Sequence, residues 1–199
     1  MKIVVASNNA HKIEELRAIL TKLGMEPVPQ KEMGVHVDPD ETGTTFEENS
    51  YIKAKAVLDA CGLPTIADDT GLMVEALNGE PGVYSARYGG ETCLTDRDRM
   101  NYLLQKMENV PEEQRSAKFV CVITMLTPDG KKIVARGECP GRILTAPRGE
   151  NGFGYDPVFY VPEEGCTFAQ LTAERKNSIS HRARALVNFC ALLGEEKSE

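Results

Sequence analysis

The chain has 199 residues, 41% hydrophobic and 27% charged, and its 30 acidic against 23 basic side chains leave a net charge of −7. This describes a compact protein with nothing to suggest disorder, since a protein of this length buries roughly 70% of its unfolded surface without disulfide or metal staples, and it argues against stable nucleic-acid binding, because phosphate affinity scales with the cations lined up against the backbone. No apolar run approaches the ~20 residues of a membrane span and no signal peptide precedes the first apolar segment, so a cytoplasmic protein that does not engage membranes is expected. The six cysteines are widely spaced with no Cys-x-x-Cys pair, which points to reduced thiols rather than zinc or redox chemistry.

Ile3-Val4-Val5-Ala6 reads as a buried strand, followed by a polar Ser7-Asn8-Asn9 turn and a helix whose apolar period (Ile13, Leu16, Ile19, Leu20, Leu23) stops at Gly24. Thr45-Phe46-Glu47-Glu48 fits a capping box opening a second helix that buries Tyr51, Ala54, Val57, Leu58 and Cys61 and ends at Gly62. Thr65-Ile66-Ala67 reads as a buried strand, 71–77 as a continuation of sheet and Gly79-Glu80-Pro81-Gly82 as a loop. Met100, Leu103, Leu104 and Met107 give a helical period capped at Thr95. Two strand-like runs, 119–126 and 132–139, flank the turn signal Pro128-Asp129-Gly130 and predict a hairpin. A Gly- and Pro-rich stretch over 145–157 precedes a last helix near Ser180 that buries Ala183, Leu186, Val187, Cys190 and Leu193. An early αβ part and a later hairpin predict an α/β fold, with an extended mixed β-sheet flanked by helices and the whole chain, 1–199, as one two-lobed domain around a central substrate cleft.

Charge is uneven. Six acids and no Lys or Arg lie between Glu32 and Ile52, and four basic residues with no acid between Arg175 and Arg184. Five segments could carry chemistry. The Ser7-Asn8-Asn9-Ala10-His11-Lys12 turn presents backbone donors at a helix start, either as an anion site completed by Lys12 or as an ordinary Asn cap. Asp68-Asp69-Thr70-Gly71 sets two carboxylates just past a buried strand, where alternation turns one of them into the cleft; a metal or catalytic task and a plain Asp turn both fit. Asn49 and Lys53 lie one turn apart on a stripe continued by Ala56 and Ala60, so Lys53 points either inward or to solvent, and Glu41 could share a metal with an Asp. The loop Gly152-Phe153-Gly154-Tyr155-Asp156-Pro157 carries two rings that either stack on a flat base or plug the core. Lys176-Asn177-Ser178-Ile179-Ser180-His181-Arg182 gathers donors at the start of the last helix, suited to an anion or a carbonyl.

In this order the segments Ser7-x-Asn9-x-x-Lys12, Ala67-Asp68-Asp69-Thr70-Gly71-Leu72, Pro81 to Arg87, Gly152 to Pro157 and Ser180-His181-Arg182 are together similar to those of the inosine triphosphate pyrophosphatase family, over nearly the whole chain. The resemblance implies hydrolysis of the deaminated purine nucleotides ITP, dITP and XTP to the monophosphate and pyrophosphate, with Mg²⁺, in a homodimer. It further implies that Asp69 binds metal and acts as base or water-orienting group, that Glu41 is the second metal ligand, and that Lys12 and Lys53 hold phosphate. Ser7, Asn8, Asn9, Ala10, His11 and Thr70 would line the substrate, Phe153, Gly154, Tyr155 and Asp156 would hold base and sugar, and Lys176, His181 and Arg182 would address the purine edge. A nucleotide-binding module without hydrolysis is the alternative from another class.

Overall fold

The computed structural model describes residues 1–195 and contains one seven-stranded mixed sheet. Its strands are β1 (Lys2–Val5), β2 (Glu26–Pro29), β3 (Thr65–Val74), β4 (Ser116–Leu126), β5 (Lys132–Ile143), β6 (Phe159–Val161) and β7 (Cys166–Thr167). Their order is β2-β1-β3-β4-β5-β6-β7. β1 pairs in parallel with β2 and β3, whereas β6 pairs antiparallel with β5 and β7. The flanking helices are α1 (Ala10–Leu20), α2 (Phe46–Cys61), α3 (Asp96–Lys106), α4 (Ala173–Ile179) and α5 (His181–Glu195). The expected α/β fold is therefore present. Two compact units divide the chain: the first holds Met1–Asp69, Cys121–Gly137 and the chain from Arg182 onward, the second Thr70–Val120 and Glu138–His181.

In the first unit β1 is covered on both faces, which is why its sequence is an unbroken apolar run instead of an alternating one. Ile3 and Val5 pack with Leu16 and Leu20 of α1 and with Ala185, Leu186 and Phe189 of α5. Val4 and Ala6 face the other way, onto Ala54 and Val57 of α2. The capping box expected at α2 is formed, with Glu48 N–H donating to Thr45 and Thr45 N–H donating to the Glu48 carboxylate; an N-cap of this kind is worth about 1 kcal/mol. Two side chains expected in the core lie outside it. Tyr51 is exposed, with the Lys132 ammonium 4.6 Å above its ring, and Val187 on α5 is 68% exposed. Ala183 and Leu186 are buried as expected, and Ala185 and Phe189 join them on the buried face of α5 in place of Val187.

The second unit has its own core, where Met100, Leu103 and Met107 meet Leu72, Val74, Phe119, Phe159 and Phe168. Thr95 and Asp98 make the second full capping box. Arg115 is 3% exposed and donates to four carbonyls, those of Met107, Val110, Ile143 and Leu144, so it ties the chain after α3 to the end of β5 without a carboxylate partner among these contacts. The sheet expected through 77 stops at Val74, where 75–77 turn into a short 3-10 segment closed by Asn78 in the left-handed region. The last helix expected near Ser180 is α5, and a short helix that was not expected, α4, precedes it. α4 ends at Ile179, Ser180 has an extended backbone, and α5 starts afresh at His181.

Candidate active site

The two neighbouring carboxylates do not lie past the end of a strand, as expected, but inside β3, which continues for five residues beyond Asp69. Strand alternation sends them to opposite faces. Asp68 meets the Lys12 ammonium at 3.2 Å and the Arg182 guanidinium at 3.3 Å, and Arg182 also pairs with Glu15 of α1. Asp69 meets Lys53, whose Nζ lies 2.9 Å from Asp69 Oδ1 and 3.3 Å from Glu41 Oε1. Lys53 is thus turned inward, with its side chain 15% exposed. The second Asp69 oxygen, Oδ2, is buried and accepts no hydrogen bond. Burial raises the Asp69 carboxyl above its usual range despite the opposing pull of Lys53 and Lys12. Burial works against the Lys53 ammonium too, but Asp69, Asp68 and Glu41 outweigh it and hold that group firmly charged.

The Ser7–Lys12 turn is an Asn cap. Asn9 Oδ1 accepts from Lys12 N–H at 3.2 Å, Ser7 Oγ accepts from Asn9 N–H at 3.2 Å, and α1 begins at Ala10. Ser7 is half-buried, while Asn8, Asn9, Ala10 and His11 are exposed at the mouth of the helix that carries Lys12. Glu41 lies on a segment without regular structure, 35–43, between a short 3-10 turn and α2.

In the second unit Asp156 is buried and accepts from Phe153 N–H at 2.9 Å and from Lys176 Nζ at 2.7 Å. A side chain at Gly152 would place its Cβ 2.0 Å from Asp156 Oδ2, at a φ of +77°, so only glycine allows this closed loop. The Lys176 ammonium also lies 4.7 Å over the half-buried Phe153 ring. The Gly154 N–H donates to Asp96, and Thr70 is half-buried on β3. Tyr155 corrects the expectation of two stacking rings: it is 5% exposed in the core and its hydroxyl donates to Ser85 C=O at 2.8 Å. His181 is buried against Phe119, ring centroids 4.8 Å apart and nearly parallel. Lys176 belongs to the last turn of α4, not to the start of α5.

Arg182 is 1% exposed, and its guanidinium is gripped by Asp68 and Glu15. Of the three donors expected at a purine edge, Lys176 and Arg182 are therefore engaged by carboxylates in this structure. Sequence reasoning missed Glu15, though its place three residues after Lys12 sets it on the same helix face.

Asp69 and Glu41 share one cation already, the Lys53 ammonium, and a buried carboxylate oxygen without a donor is a ready metal ligand. Among the described residues no cluster of three or more His, Cys, Asp or Glu side chains is placed to hold a metal. One or two carboxylates suit Mg²⁺, which keeps waters and takes phosphate oxygens from its substrate. The residues present fit that ion.

A family model described as the Ham1 family matches residues 3–192. The chain is 48% identical over 199 residues to the dITP/XTP pyrophosphatase of Vibrio cholerae, covering 99% of this chain and 98% of that one. The structure of the Staphylococcus aureus Ham1 protein superposes with a TM-score of 0.88 at 45% identity, covering 98% of this chain and all of the other. The crystal structure of a nucleoside-triphosphatase / dITP/XTP pyrophosphatase from Mycobacterium abscessus gives 0.76 at 42% identity, over 94% and 97% of the two chains.

Proposed function

The chain belongs to the Ham1 family, and from that footing we propose that it hydrolyses dITP, ITP and XTP to the nucleoside monophosphate and pyrophosphate, clearing deaminated purines from the nucleotide pool. The names of its relatives support the substrate class. The observation that carries the chemistry is the Lys53 ammonium held between Glu41 and Asp69, with Asp69 Oδ2 buried beside it and without a donor.

Catalysis of this kind rests mainly on position and charge, because the substrate brings close to four negative charges to an acidic protein. Lys12 and Lys53 bind phosphate oxygens, and the Ser7-to-Lys12 turn and Thr70 contact the substrate. Mg²⁺, when held by Asp69 and Glu41, supplies further charge neutralisation and acidifies water. Asp69 orients a water and accepts its proton as the new bond forms between the water oxygen and the α-phosphorus; the bond from that phosphorus to the bridging oxygen breaks and pyrophosphate leaves. A carboxyl raised by burial is a better base near neutrality than an exposed one.

The base and sugar fall to Phe153, Gly154 and Asp156. Stacking on a ring such as Phe153 is worth about 1–3 kcal/mol and hardly distinguishes bases. Selectivity then comes from donors of Lys176 and His181, which suit a 6-oxo acceptor and oppose the 6-amino group of adenine; a polar mismatch of this type discriminates by ~10⁴ or more. The reading includes a cytoplasmic homodimer that binds neither membrane nor nucleic acid stably. The test is a panel of dITP, ITP, XTP, GTP and ATP assayed with and without Mg²⁺ for pyrophosphate and orthophosphate. Pyrophosphate from the first three, dependent on Mg²⁺, is the expected result. Nucleotide binding with no pyrophosphate would make the chain a sensing module, and orthophosphate alone would make it a phosphatase of another kind.

A further inference from the structure

Glu41 must be held in place by something other than secondary structure, because the segment that carries it, 35–43, belongs to no helix or strand. Thr42 N–H donates to Asp40 C=O within the segment, which ties it to nothing else. Two buried amide side chains grip its backbone from outside. Gln30, 3% exposed, donates from Nε2 to Val37 C=O at 2.8 Å, four residues before Glu41. Asn49, fully buried, accepts at Oδ1 from Gly43 N–H at 2.8 Å, two residues after it.

The Asn49 contact is close on every side. A Cβ at Gly43 would lie 2.6 Å from Asn49 Oδ1 and 2.6 Å from Glu48 Cβ, so the position tolerates no side chain. Asn49 Nδ2, the other end of the same amide, is buried with no acceptor. A buried donor left without a partner is a cost to the fold, so the orientation of this amide is set by the Gly43 bond and not by satisfying the amide as a whole. Asn49 also stands one helical turn before Lys53 on α2, the residue whose ammonium reaches Glu41. The tether therefore fixes Glu41 relative to the helix that carries its charge partner.

We propose that Gln30 and Asn49 are positioning residues for Glu41, setting the affinity for the divalent cation by holding 35–43 against α2 and the 3-10 turn that begins at Gln30. The inference rests on the reading of Glu41 as a metal ligand. It predicts that residues which touch neither metal nor nucleotide control metal affinity through the backbone on either side of the ligand, as outer partners of metal ligands do elsewhere.

The test uses the full chain with α,β-methylene-dITP, counting bound Mn²⁺ by electron paramagnetic resonance and following amide hydrogen exchange over 36–44. Asn49→Leu removes the acceptor together with the unsatisfied donor, so the fold loses little; Gln30→Met keeps volume and removes the other tether; Gly43→Ala pushes the Asn49 contact apart without touching Asn49. Each should weaken Mn²⁺ binding by roughly 10-fold and speed exchange in the segment. In a Glu41→Gln background Asn49→Leu should weaken it no further, whereas a general loss of structure would add its effect there too. If Glu41→Gln weakens binding but Asn49→Leu and Gly43→Ala stay within about twofold of the parent, or if exchange is unchanged, the positioning role is overturned while the metal ligand stands. Binding indifferent to Glu41→Gln would overturn the ligand assignment and this inference with it.

Discussion

Replacing Asp69 by Asn separates catalysis from folding more cleanly than any other change at the site. The side chains are nearly isosteric, and Asn Oδ1 can still accept from the Lys53 ammonium, which lies 2.9 Å from Asp69 Oδ1. At an effective dielectric of about 20 the lost charge attraction is about 6 kcal/mol. Burial penalises the Asp69 carboxylate by more than its cationic neighbours return, since its pKa is raised and not lowered. Folding therefore disfavours the ionised form of this group relative to the unfolded chain, and Asn, which needs no charge, should leave stability within about 1 kcal/mol of the parent, a shift of about 2–4 °C in Tm for a chain of this size. Turnover should fall by about 10²–10⁴, the usual contribution of a positioned base, or about 3–5 kcal/mol of barrier. Pyrophosphate release from dITP and a melting curve in chelator, taken on the same preparation, read both numbers. Turnover within threefold of the parent would remove Asp69 from the mechanism. A Tm lower by 8 °C or more would refute the claim that burial outweighs the ion pair.

Arg182→Met should lower stability by about 3 kcal/mol, toward the low end for breaking a buried ion pair, because Asp68 keeps Lys12 at 3.2 Å while Glu15 loses the guanidinium; chemical unfolding measures it, and a loss below 1 kcal/mol would mean the cluster is not structural. Tyr155→Phe should cost about 1–2 kcal/mol by leaving the Ser85 carbonyl unpaired in the core, with the KM for dITP unchanged; a tenfold rise in KM would return this hydroxyl to the substrate.

What the sequence revealed depended on whether a signal was local. The capping box at Thr45 and the cap at Thr95 are complete within four residues and were legible, although the box that Asp98 closes at Thr95 was read only as a cap. So was the opposite facing of Asp68 and Asp69, since strand alternation alone decides it. β2 was not: Glu26-Pro27-Val28-Pro29 has two prolines in four residues, and it forms a strand because a parallel edge position beside β1 asks only one side of it to hydrogen-bond. β6 and β7, three and two residues long, carry too little pattern to be seen. α4 was not seen because its seven residues, Ala173–Ile179, carry too short an apolar pattern to mark a helix. Within the site, Lys53 had two open orientations until β3 placed Asp69 opposite it. Arg182 was expected at the substrate because the resemblance names the residue but not its neighbours; Glu15 and Asp68, which hold it, come from distant parts of the chain.

The two prolines of β2 have a consequence for how molecules of this protein meet. They sit on an outermost strand of the sheet, and at the opposite margin β7 offers only two residues. A neighbouring chain seeking to add a strand would find missing N–H groups at one border and almost no ladder at the other, which is how natural sheets resist sticking edge to edge. If two subunits associate, they must do so through side-chain surfaces, and concentrated solutions should stay free of fibrillar, sheet-extending polymers.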